Sequence, residues 1–209
     1  MKLKTLIFLF FLTIISCVGN KDKDKEMELS LEGIEILDPK APEPENEIFA
    51  NIGPIISIIS FELKANQEQK KNFENGFIPW VSIQDYQKEI DQLHNADEIV
   101  IPENEATLII DYPVNNPTSF TLKTTEKGFS RKVLISEINK KYLELYEEEE
   151  KTAKTKTIPK EQRKGLINRN QTDGKYGIWG HDLGDLVLSS VEVYKDKAGK
   201  ITIVLGIES

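Results

Sequence analysis

Cysteine occurs once in the 209 residues, at Cys17, which excludes a disulfide within the chain and a cysteine-ligated metal site. Histidine occurs twice, at His94 and His181, and neither has a second histidine three or four positions away. A zinc-protease helix and an HD-type phosphohydrolase therefore lack their ligands. GxSxG, Walker A, HExxH and dinucleotide GxGxxG patterns are all missing, so the common hydrolytic and nucleotide-dependent chemistries have no signature here. Basic clusters are missing as well. The formal charge is −8, and without a basic face the counterion release that dominates nucleic-acid binding has no source, so no nucleic-acid partner is expected. No apolar run approaches the roughly 20 residues that cross a hydrocarbon layer as a helix.

The chain does have a distinctive start. Lys2 and Lys4 precede the apolar run Leu6 to Leu12, and after Thr13 the segment closes Ile14-Ile15-Ser16-Cys17. A basic flank, a short apolar core and a small-residue ending have the proportions of a secretory signal. The ending resembles the lipobox of bacterial lipoproteins. That resemblance implies cleavage of residues 1–16, lipid attachment at Cys17, and a membrane partner reached through that anchor. Loss of Lys2 and Lys4 with the signal takes the mature charge to about −10.

Residues 17–47 are rich in charge and proline and read as a flexible tether, with a root-mean-square span of roughly 30 Å. Lys21-Asp22-Lys23-Asp24-Lys25-Glu26 loosely resembles segments that send some lipoproteins to the outer face of the outer membrane. A plain solvated spacer is the reading that charge runs favour. Val18 departs from the aspartate of inner-membrane retention signals, so the expected address is the outer membrane, with the leaflet open. Residues 29–37, LSLEGIEIL, carry a short strand pattern.

The expected domain is 48–209. Within residues 48–63 the run Ile55-Ile56-Ser57-Ile58-Ile59 predicts a buried strand, with a docking surface as the alternative. Residues 65–75 predict a short helix ending at Gly76, and Ser82 opens a helix to Leu93 with Asp85 three positions on as a short capping acid. Strand patterns follow at 99–101, 106–112 and 118–123, the last two joined by Pro113-Val114-Asn115-Asn116-Pro117 as a hairpin loop. Ser130 is placed to cap the longest helix, whose row Leu134, Ile138, Tyr142, Leu145 predicts one buried face. Glu147 to Glu150 then read as its solvated end. The chain closes with a hairpin of 186–195 and 201–207 turning at Gly199.

Residues 166–186, LINRNQTDGKYGIWGHDLGDL, are the densest in candidate chemistry. Four glycines oppose a regular helix and predict a folded loop presenting Tyr176, Trp179, His181, Asp182 and Asp185. His181 with Asp182 and Asp185 has the donor types of a divalent-metal site, and Tyr176 with Trp179 suits stacking on a sugar or peptide. An EF-hand alignment on Gly174 fails, because Arg169 falls where the first acid belongs. The structural alternative has Trp179 plugging the core while His181 and the aspartates cap a turn.

Together these patterns predict an α+β fold, an antiparallel sheet built from hairpins with one long helix across it. The lipobox, the FSRKVLISEINKKYLELYEEEE helix and the NRNQTDGKYGIWGHDLGDL loop resemble a group of Gram-negative bacterial lipoproteins, over residues 106–209. That resemblance implies a class and no particular activity. The functional expectation is a lipid-anchored envelope protein acting as a non-enzymatic binding or structural module, without a cofactor, for an envelope protein or glycan. The alternatives are a metal-assisted hydrolase using residues 174–185 and an immunity lipoprotein that neutralises a toxin.

Overall fold

The computed structural model describes residues 47–73 and 75–209. The signal peptide, Cys17 and all but the last residue of the tether lie outside the described residues. Among the described residues ten strands and two α-helices follow in the order β1 (Ile55–Ser60), β2 (Leu63–Lys64), β3 (Phe77–Ile78), β4 (Val81–Ser82), α1 (Tyr86–Glu89), β5 (Ile99–Ile101), β6 (Glu105–Ile110), β7 (Thr118–Lys123), β8 (Phe129–Ser130), α2 (Arg131–Thr152), β9 (Val187–Lys195) and β10 (Ile201–Glu208). The fold is α+β. Among the described residues no helix is long and apolar enough to cross a membrane.

Alternation along each strand sends successive side chains to opposite faces, and the pairings turn that period into a core. The main sheet runs β1-β9-β10-β6-β7, with β4 extending the β1 side of β9. Both predicted hairpins are present, β6–β7 and β9–β10, and all pairs in the main sheet are antiparallel except β10–β6, which joins the two hairpins in parallel. Register brings Val193, Ile203, Leu108 and Phe120 into one row. Their face shares a single apolar cluster with Leu134, Ile135, Ile138, Tyr142 and Leu145 of α2. Those five helix residues are fully buried, each aliphatic one contributing about 2–3 kcal/mol.

The start of α2 follows from Ser130, which is extended (ψ 165°) and accepts from the Val133 amide at 3.4 Å. The predicted Ser82–Leu93 helix is much reduced, to four α residues followed by a 3₁₀ turn at Ile90–Gln92. Ser82 belongs to β4 and still accepts from the Asp85 amide, but the acid that reaches back to the Ser82 amide is Glu89. The helix expected over 65–75 is one 3₁₀ turn, Gln69–Lys71, and Gly76 has the left-handed φ of 75°.

The apolar run at 55–59 is a strand, but its expected burial is corrected. β1 lies at the edge of the main sheet, paired only with β9, so its other flank has no neighbouring strand, and Ile55, Ile56 and Ile58 are exposed while Ile59 is buried. Replacing Ile59 by Ala is expected to cost about 2–4 kcal/mol, whereas Ile58→Thr should stay within about 0.5 kcal/mol. Denaturant midpoints of the two variants check this asymmetry.

Candidate functional site

Four polar groups on α2, one per turn, each hold an irregular segment against the apolar layer. Asn139 Nδ2 donates to the Ile83 carbonyl at 2.9 Å, Tyr142 Oη to the Tyr112 carbonyl at 2.9 Å, and Tyr146 Oη to the His181 carbonyl at 2.9 Å. Glu149 completes the row at one end of the helix. Burial raises the pKa of both tyrosines, so each stays a donor across the ordinary pH range.

Glu149 is fully buried, and residues 172–178 wrap its carboxylate. Oε1 accepts from Thr172 Oγ1 at 2.6 Å, the Gly174 amide at 2.8 Å and the Ile178 amide at 3.4 Å. Oε2 accepts from the Tyr176 amide at 2.8 Å and the Gly177 amide at 3.1 Å. A carboxylate at the negative end of a helix is unfavourable on its own. Desolvation pushes its pKa up, but the Thr172 hydroxyl and the Tyr176, Gly174 and Gly177 amides outweigh that and hold it below the usual glutamate range.

The expectation of a solvated acidic end is therefore corrected at this residue. Glu147 pairs with Lys151 at 2.8 Å on the surface, as expected of a solvated acid. Glu149 lies seven positions after Tyr142 and four after Leu145, which puts it on the buried stripe.

Glycine at 174 is required by proximity. A Cβ there would stand 2.6 Å from the Glu149 carbonyl oxygen and 2.7 Å from its carboxylate. Gly177 has a φ of 65°, in the left-handed region where side chains are costly. The wrapped loop also docks on the first hairpin: the Asn115 amide donates to the Tyr176 carbonyl at 3.0 Å, and the Trp179 amide to the Pro113 carbonyl at 3.1 Å.

These contacts distribute the five candidate residues unevenly. Tyr176 is buried at 5% exposure, so its expected role in stacking on a ligand is corrected. Trp179 is half-buried, and Ile178 and Tyr176 fill the core in its place. His181 is also half-buried and lies beside Trp179 with ring centroids 5.7 Å apart. Tyr112 completes the cluster, 5.1 Å from Trp179 and 5.5 Å from His181. Its hydroxyl and the Ser209 hydroxyl are 2.8 Å apart.

Asp182 and Asp185 already carry cationic partners. Arg163 grips Asp182 through two bonds of 2.7 Å, and Lys160 Nζ lies 3.2 Å from Asp185 and 3.5 Å from Asp182. The Arg163 guanidinium holds the Asp182 pKa below the usual carboxylate range. Asp185 also accepts from the Asp182 amide at 2.9 Å, the turn-capping role the sequence offered as an alternative. Among the described residues no group of three or more His, Cys, Asp or Glu side chains is placed to hold a metal ion.

The polar side chains just before Gly174 serve the backbone. Asp173 Oδ1 accepts from the Lys154 and Thr155 amides, and Asn170 Oδ1 from the Ile158 amide. Arg169 lies buried beneath them, its guanidinium 5.3 Å from the Tyr146 ring and bonded to Thr157 Oγ1.

The sequence reading missed Glu149, Arg163 and Tyr112. Only Glu149 carried a signal in its spacing; the other two come to the loop through tertiary contacts. Comparison with protein families, curated proteins and solved structures finds no match to the chain.

Proposed function

We propose that the chain is a lipid-anchored cell-envelope protein whose domain works as a non-enzymatic binding module, with Trp179 and His181 at the contact surface. One observation carries the reading. The loop bearing these two half-exposed rings is braced from below by a buried carboxylate and five donors, so the rings are held in place without closing into the core. Rigid aromatic groups with a polar edge make contact area at low entropic cost, and tryptophan is enriched among energetically dominant contact residues. The address rests on the Lys2-Lys4 flank, the apolar core and Cys17.

The test joins address and surface. Radiolabelled palmitate should label the wild-type chain and fail to label Cys17→Ser, and persistent labelling of that variant would defeat the anchor. A pull-down from intact envelopes should recover a macromolecule with wild type and several-fold less of it with Trp179→Ala. Equal recovery by both would move the contact surface away from the loop.

A further inference from the structure

Next to the aromatic cluster lies a cleft of about 270 Å³ lined by Trp80, Asp185, Val187, Glu208 and Ser209. It is continuous with the cluster through Ser209, whose hydroxyl meets Tyr112 Oη and lies 3.5 Å from His181 Nε2. Both tryptophans of the chain, Trp80 and Trp179, therefore stand on one strip. We infer that this cleft takes a cationic side chain, lysine or arginine, from a basic polypeptide; the inference rests on the binding-module reading.

Size is the first argument. The cleft falls just below the roughly 300–1,000 Å³ that encloses a drug-sized ligand, so it suits one protruding side chain better than an oligosaccharide.

Chemistry is the second. The Trp80 indole offers an ammonium or guanidinium a π face, and the Glu208 carboxylate offers anionic oxygens beside it. Lys160 already holds Asp185, at 3.2 Å, so Glu208 is the acid of the cleft left to a ligand cation. Glu208 is exposed and makes no ion pair among the described residues, which leaves its charge to a ligand. A neutral sugar could only donate its hydroxyls to Glu208, without the ion pair that an ammonium or guanidinium gains there, and an anionic ligand or lipid headgroup is repelled by that charge.

Net charge is the third. A chain at −8, and lower after signal removal, draws cationic partners toward it and repels acidic ones.

The test uses the full chain in neutral detergent micelles at low ionic strength. The probes are an end-capped pentalysine peptide and the same peptide acetylated on every lysine. Intrinsic tryptophan emission is the readout, since both indoles lie on the strip. The lysine peptide should give a saturable change and the acetylated one none. Glu208→Gln should weaken binding by about three- to tenfold, the range of one partly solvated ion pair with its hydrogen bond. Glu105→Gln, at the opposite end of the sheet in an exposed pair with Lys123, should leave affinity unchanged.

Equal binding of the acetylated peptide, no loss in Glu208→Gln, or an equal loss in Glu105→Gln would each overturn the inference. The envelope pull-down separates this failure from failure of the binding-module reading. Recovery that depends on Trp179 but is the same for Glu208→Gln sinks the cation cleft alone.

Discussion

Glu149→Ala should lower the free energy of unfolding by about 3–5 kcal/mol, the cost of leaving buried donors without the charged acceptor that satisfies them. Four backbone amides and the Thr172 hydroxyl lose their partner at once. Glu149→Gln should recover part of the loss, because its carbonyl still accepts while its NH₂ faces amides that donate. Chemical denaturation of the three proteins measures the series.

The same carboxyl sets a pH dependence. Its folded pKa is depressed, so its contribution is fully present above the unfolded value of about 4.3 and is lost as pH falls through the lower folded value. Glu149→Gln should remove that part of the acid sensitivity.

Gly174→Ala is the second large effect, at about 2–4 kcal/mol. The added carbon would stand 2.6 Å from the carbonyl oxygen of Glu149 and 2.7 Å from its carboxylate, so the loop must shift and stretch the same hydrogen bonds. The pair should be non-additive in part: Glu149→Ala removes the carboxylate contact at 2.7 Å but keeps the carbonyl oxygen at 2.6 Å, so adding Gly174→Ala to it should cost less than its single-variant value without vanishing. Additive costs would mean that the two residues do not share one structure.

Much of the fold was legible because its signals are local. Ser130 followed by Leu134, Ile138, Tyr142 and Leu145 announces a capped amphipathic helix, and the residues turning at Gly199 announce a hairpin. The parallel β10–β6 junction was not legible, since pairing between distant strands leaves no mark in either. The Ser82 region misled through its helical spacing. A strand pairing of Val81 and Ser82 with β9 and a single turn at Tyr86 satisfy the same apolar positions. Ile55, Ile56 and Ile58 misled for another reason: hydrophobicity reports a preference for burial, and only the sheet order reveals which strand is left at the edge.

At the site, glycine density and aromatic content located the loop, but its organiser was hidden inside a run of four glutamates. Charge suggested solvent for all four, whereas helical phase separated Glu149 from its neighbours. Asp182 and Asp185 presented metal-ligand chemistry until Arg163 and Lys160, about 20 residues upstream, supplied their counter-charges.

The central claim is that the aromatic loop is ordered because Glu149 holds it. Amide hydrogen exchange on the full chain near neutral pH tests that claim most directly. The Gly174, Tyr176 and Gly177 amides should be protected in wild type and lose protection in Glu149→Gln, while β9 and β10 amides keep theirs. Rapid exchange of those three amides in wild type, or unchanged protection in Glu149→Gln, would contradict it.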